Sequence, residues 1–175
     1  MRRVVVVGNS GSGKSTLAAA LAARLGVRYV ELDAYHNQAD WQELPVPEFR
    51  ARIAAVVATD GWVVDGNYTR VRDLVWARAD TVVWVDPPRH RVMRQIVWRS
   101  VSRALLRREL WNGNRESWRN LFSRDPQRSI IVWSWTRHEV YRQRYLTAMR
   151  DPACAHLRFV RVRTRAQARA LVAGR

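Results

Sequence analysis

Eight consecutive residues, Gly8-Asn9-Ser10-Gly11-Ser12-Gly13-Lys14-Ser15, fit the pattern G-x-x-x-x-G-K-[ST] without deviation. Glycines at these positions let the backbone curl so that successive N–H groups and a following helix N-terminus point at phosphate oxygens. In that pattern the lysine bridges β- and γ-phosphate oxygens and the last hydroxyl ligates Mg2+. The residues therefore predict a site for a nucleoside triphosphate with Mg2+, lined by Gly8 to Ser15 and by Thr16; the single lysine leaves none for a guanine-reading N-K-x-D motif, so ATP is the expected nucleotide. Lys14 is the only lysine in a chain with 31 Lys and Arg together. A compact ammonium on a flexible stem cannot be exchanged there for a planar guanidinium without changing the geometry, so its survival in an arginine-rich sequence marks the site.

Two carboxylates close apolar runs. Asp65 follows Trp62-Val63-Val64 and is a candidate, with Ser15, for holding a Mg2+-bound water; a turn cap is its plainer role. Asp33 follows the run 27–32 and would orient an acceptor hydroxyl as general base or bind an acceptor otherwise, local capping again being the plainer alternative. Tyr35, His36, Trp41, Asn67 and Tyr68 are candidate acceptor-pocket residues that offer aromatic faces to a base or sugar, although most of the nine Trp and five Tyr must serve the core. Phosphoryl transfer is mainly positioning and charge neutralisation. Mobile arginines are therefore expected, with Arg103, Arg107, Arg115, Arg119 and Arg124 as candidates and Arg137 behind them.

These residues need a frame. Val4 to Val7 is a continuous β-branched run, the pattern of a strand buried on both faces of a parallel sheet. Leu17, Leu21 and Leu25 predict a helix over 14–25 with Gly26 at its C-terminal cap. Further strands are predicted over 27–32, 62–64, 81–85 and 157–162. A helix opened by Pro47 should carry Phe49, Ile53 and Val57 on one face. Between strands four and five, 89–110 and 125–149 read as helices flanking an arginine-rich irregular segment, a hinged flap. Thr164-Arg165-Ala166-Gln167 reads as a capping box for the last helix. Strands alternating with helices define an α/β domain with a parallel sheet, whose ligands bind outside the carboxyl ends of the strands. Gly8 to Ser15, Asp33, Asp65 to Tyr68 and Asp86 all stand at that edge.

On the motifs 8–15, Leu32-Asp33, Trp62 to Tyr68 and Leu110-Trp111-Asn112-Gly113-Asn114-Arg115-Glu116, the sequence resembles P-loop nucleoside monophosphate kinase-like proteins, adenylate kinase and its relatives. Within them it is similar above all to small bacterial members known as adenylate kinase or DNA topology modulation protein. The resemblance implies a P-loop three-layer sandwich with a five-stranded sheet ordered 2-3-1-4-5, an acceptor segment over 34–60 and an arginine-bearing lid over 103–127. It puts Arg103 and Arg107 at the lid entrance, Arg115 within the lid signature, and Thr164 and Arg165 beside the adenine. It also implies transfer of the γ-phosphoryl group of Mg2+·ATP to a nucleotide or nucleoside. The chain departs from adenylate kinase where Asp65-Gly66-Asn67-Tyr68 replaces Asp-Gly-Phe-Pro-Arg, so the acceptor-phosphate arginine is missing and Arg70 or Arg72 is left to replace it. The acceptor segment is short, closer in size to that of shikimate or gluconate kinases, which are the alternative small-molecule kinases.

The chain has 175 residues, 47% hydrophobic and 26% charged, a composition that predicts one globular domain and excludes disordered and fibrous classes. The formal net charge of +16 lies wholly after Asp86; the first 86 residues are neutral. Such a basic half suits nucleotide phosphates or, as a rival reading, nucleic acid held by a P-loop regulator, since Arg and Trp interleave from Trp98 to Trp135. A lid and core explain the same residues, so nucleic acid is not favoured. One cysteine, Cys154, and no apolar stretch near 18 residues predict a cytoplasmic protein without a membrane partner. The scattered His36, His90, His138 and His156 make no metal-ligand cluster.

Overall fold

The computed structural model describes residues 1–39, 42–105 and 129–174, the side chains of 103–105 excepted. Trp41, Arg107, Arg115, Arg119, Arg124 and the side chain of Arg103 lie outside the described residues. Five strands, β1 (Arg3–Gly8), β2 (Arg28–Glu31), β3 (Trp62–Asp65), β4 (Thr81–Val85) and β5 (Arg158–Val162), form one sheet in the order β2-β3-β1-β4-β5. All pairings are parallel, with β1 between β3 and β4. The helices are α1 (Lys14–Leu25), α2 (Leu32–His36), α3 (Val46–Val57), α4 (Thr69–Arg78), α5 (Arg89–Leu105), α6 (Ile130–Ala148) and α7 (Arg165–Ala173).

The period of two along the strands divides the core. Val5, Val7, Val64, Val82 and Trp84 face a layer containing Phe49 and Ile53 of α3, Val71 and Val75 of α4 and Tyr145 of α6. Val4, Val6, Val63, Val83 and Val85 face Leu17 and Leu21 of α1 and the half-buried Leu171 and Val172 of α7. Val4 to Val7 are all at most 2% exposed, as a central strand covered on both sides requires. Helix α1 spans its predicted residues and ends on Gly26 at φ 63°. The capping box at Thr164 and Gln167 is formed in both directions.

Several elements differ from the sequence reading. Strand β2 is shorter than 27–32 because its partner ends at the pair Glu31↔Asp65; with no strand left to pair, Leu32, 2% exposed, begins α2, and Asp33 lies in the first turn of that helix instead of closing a strand. Strand β5 starts at Arg158, since Leu157 N–H donates to Cys154 C=O and closes the preceding 3-10 turn. Helix α4 was not legible, having only Val71, Val75 and Trp76 as buried residues among charged neighbours. Helix α6 begins at Ile130, where Ser129 accepts from Val132 N–H; the proposed start at Asp125-Pro126 lies outside the described residues. No helix among the described residues is long and apolar enough to cross a membrane.

Candidate active site

The phosphate loop joins β1 to α1 at the carboxyl edge of the sheet, next to the end of β3. Gly8 has φ +153°, and a Cβ there would sit 2.5 Å from Val85 O and 2.9 Å from Ser12 Oγ. Gly8→Ala is thus expected to destabilise the fold by roughly 3 kcal/mol through strain and overlap, read as a lower denaturant midpoint; an unchanged midpoint would contradict this geometry. Gly13, at φ 92°, is the N-cap of α1 and supplies no side-chain capping bond. The first N–H groups of α1 lack intrahelical acceptors, as at any helix start, and stand beside Lys14 and Ser15 with the positive end of the helix dipole behind them.

Asp65, 2% exposed, ends β3 with Lys14 Nζ 3.7 Å from its Oδ1 and the Tyr29 hydroxyl donating to its Oδ2 at 3.3 Å. The lysine contact is an ion pair beyond hydrogen-bond length, so Oδ1 is a buried oxygen without a hydrogen-bond partner. Burial raises the Asp65 carboxyl above its usual range, against the opposing pull of Lys14 and Ser15; the nearby charge of Asp33 raises it further. Tyr29, missed from the sequence, is itself pushed far up by burial and by Asp65. A buried carboxylate oxygen without a donor, beside Ser15, fits a hydrated Mg2+ at the triphosphate. Among the described residues no group of three His, Cys, Asp or Glu could hold a metal ion; Asp65 and Ser15 are the residues that would hold Mg2+ here together with a bound triphosphate.

A carboxyl whose pKa is raised on folding contributes stability below its unfolded value and loses it as pH rises through the folded one. Wild-type protein without ligand is therefore expected to lose stability relative to Asp65→Asn as pH rises through the Asp65 titration. Parallel stability curves for the two proteins would contradict the assigned burial.

Asp33 stands in the first turn of α2, where the Tyr68 hydroxyl donates to its Oδ1 at 2.6 Å. The Tyr68 phenol is held far above its ordinary value, first by burial and then by the charge of Asp33. His36, 6% exposed, packs against Phe49 and Tyr68 with centroids 5.2 and 4.7 Å away, and lies 3.6 Å from Glu43. Arg70 is paired to the same Glu43 at 2.8 Å, and Tyr35 accepts from Arg28 at 2.8 Å. Asn67 turns its amide to the phosphate loop, donating to Gly8 C=O at 2.6 Å and accepting from Gly8 N–H at 3.1 Å.

The structure thus brings Lys14, Ser15, Asp65, Asp33, Tyr68 and Asn67 together at one edge. Thr16 is exposed on the first turn of α1. Thr164 caps α7 by accepting from Gln167 N–H, and Arg165 begins that helix, exposed, after β5. Asp86 is taken by Arg161, whose guanidinium lies 4.4 Å over the Trp84 ring, so it ties β4 to β5. Exposed Arg137 acts through its charge on Tyr141, a ring that also feels Asp33. Glu43, Ser134 and Tyr145 are further polar residues at the site that the sequence did not single out.

A parallel sheet in the order β2-β3-β1-β4-β5 with a phosphate loop after its central strand defines a P-loop kinase fold. Residues 4–170 match the model of the AAA domain family, and the chain belongs to that family. It is 32% identical over 130 residues to a shikimate kinase of Nitrobacter winogradskyi, an alignment covering 61% of this chain and 61% of that protein. The chain thus spans about three fifths of the length of that curated relative. Among solved structures, shikimate kinase from Acinetobacter baumannii in complex with shikimate superposes with a TM-score of 0.53 at 19% identity, over 99% of this chain and 90% of that one. A gluconokinase from Sinorhizobium meliloti 1021 does so with a TM-score of 0.51 at 20% identity, over 99% and 92%. These two likenesses are of fold.

Proposed function

We propose that this chain transfers the γ-phosphoryl group of Mg2+·ATP to a hydroxyl of a small polar acceptor. The observation that carries this reading is the pair of carboxylates beside Lys14, Asp65 next to Ser15 and Asp33 fixed at one oxygen by Tyr68 at 2.6 Å. Asp65 and Ser15 would hold Mg2+, which supplies charge neutralisation at the phosphates. Lys14 and the loop N–H groups hold the β- and γ-oxygens. Asp33 Oδ2 takes the proton as the acceptor O–H bond breaks, the acceptor oxygen bonds to phosphorus, and the bond to the ADP oxygen breaks. By the family resemblance, Arg103, Arg107 and Arg115 are assigned to neutralising phosphate charge. Thr164 and Arg165 are assigned to the adenine side.

A hydroxyl acceptor is favoured over a nucleoside monophosphate because Arg70, the stand-in for the absent acceptor-phosphate arginine, is engaged by Glu43. The shikimate kinase relative and the short segment 34–60 support the same choice. The test is coupled ADP release from Mg2+·ATP against sugar acids, cyclic polyols, nucleosides and nucleoside monophosphates, with Lys14→Ala as blank. Turnover with an unphosphorylated hydroxyl compound is the expected result; turnover with nucleoside monophosphates alone would replace it with an adenylate kinase-like activity. A second reading, a nucleic-acid-bound regulator, rests on Trp98 and Trp135, which stand 74% and 52% exposed on α5 and α6. Loss of single-stranded DNA binding at about 150 mM salt would remove it.

A further inference from the structure

Helix α6 supports the phosphate loop at two places, directly through Ser134 and, by way of Asn67, through Tyr145. Near its start, Ser134 accepts from Asn9 Nδ2 at its carbonyl, 2.8 Å away, while its hydroxyl donates to Ser10 C=O at 3.2 Å. Eleven residues later, about 16 Å along the same helix, the Tyr145 hydroxyl donates to Asn67 Oδ1 at 2.9 Å, and Asn67 in turn bonds both main-chain groups of Gly8. Ser134, Tyr145 and Asn9 are 0%, 2% and 6% exposed, so these bonds are made away from water, where a lost partner is costly.

Their effect on the loop follows from peptide geometry. In a planar trans peptide the C=O and the next N–H point in opposite directions. Holding Gly8 C=O against Asn67 therefore aims Asn9 N–H the other way, and holding Ser10 C=O against Ser134 does the same for Gly11 N–H. Gly11, at φ 73°, imposes little resistance to rotation of the peptide before it. A flipped peptide at either place would put a carbonyl oxygen where a phosphate oxygen must lie.

We infer that Ser134, Tyr145 and Asn67 are positioning residues that keep the loop carbonyls turned away from the triphosphate, with α6 as the brace. This rests on the reading above that the loop binds a triphosphate. It also makes Asn67 part of the loop's support and not an acceptor ligand.

The experiment is calorimetric binding of Mg2+·ATP and of inorganic tripolyphosphate, which lacks base and sugar, to the full chain and to Ser134→Ala, Tyr145→Phe, Asn67→Asp and Tyr145→Phe/Asn67→Asp. Ser134→Ala and Tyr145→Phe are expected to weaken both ligands by 5- to 20-fold and Asn67→Asp by more, with KM for the acceptor within twofold and Tm within a few degrees. The Tyr145→Phe effect should vanish in the Asn67→Asp background, since the two act as one unit. Wild-type affinity for tripolyphosphate in Ser134→Ala and Tyr145→Phe would overturn the inference. Failure of the wild type to bind either ligand would instead remove the triphosphate reading, and the inference with it.

Discussion

Lys14→Ala is expected to lower kcat/KM for ATP at least about 1,000-fold, some 4 kcal/mol of transition-state stabilisation. Lys14 lies 3.7 Å from the buried Asp65 carboxylate, the ion pair made to it among the described residues, and it follows Gly13 where the α1 N–H groups converge. No other lysine exists to substitute; Arg70 is engaged on Glu43 and Arg161 on Asp86, while Arg99 reaches the loop itself and donates to Ser10 Oγ at 2.9 Å. Lys14→Arg should recover little, because a planar guanidinium cannot take the place of a compact ammonium between two phosphates. The folded state should survive either change, since a carboxyl already raised by burial can answer the loss of its counter-charge by taking up a proton. Steady-state kinetics with a parallel thermal melt separates the two effects. Near-normal turnover in Lys14→Ala would remove the loop from the chemistry altogether.

Asp33→Asn carries the second large effect: the turnover rate should fall by roughly two to four orders of magnitude, with ATP affinity staying within about threefold of wild type. The amide keeps the size of the carboxylate and can still accept the Tyr68 hydroxyl, but cannot take a proton from an acceptor. Tyr68→Phe should cost less, because it frees the orientation of Asp33 without removing the base. If the acceptor were a phosphate, already anionic, Asp33→Asn would turn over almost normally. Comparing the turnover ratio with ATP binding for each variant, with the acceptor found by the ADP-release screen, therefore tells a hydroxyl acceptor group from a phosphate.

What could be read in advance was local. The glycine pattern, the Leu17-Leu21 spacing and Gly26 located the loop and α1 to the residue, because each depends on neighbours within one or two helical turns. The β-branched runs located β1, β3 and β4, whose alternate residues fill opposite faces of the sheet. The strand order came from family resemblance, and the sheet has that order. The end of β2 was misplaced because it is set by where β3 stops, not by the apolar run itself. Bonds such as Ser134 to the phosphate loop and Tyr145 to Asn67 join residues 124 and 78 positions apart and leave no periodic trace. Nor does any sequence pattern announce that Glu43 takes both His36 and Arg70, the pairing that changes the reading of the acceptor side. The basic half of the chain contributes Arg161 to a sheet-edge pairing and Arg89 to the Trp135 ring, 3.4 Å from its centroid; the +16 is thus in part structural.

That phosphoryl transfer ends on an acceptor hydroxyl is tested most directly by phosphorus NMR of a turnover mixture of the full chain, Mg2+·ATP and the acceptor found by the ADP-release screen. One phosphate monoester resonance of the acceptor growing in step with ADP, and absent with Lys14→Ala, is the predicted result. Inorganic phosphate appearing in step with ADP, with no phosphorylated acceptor, would contradict it.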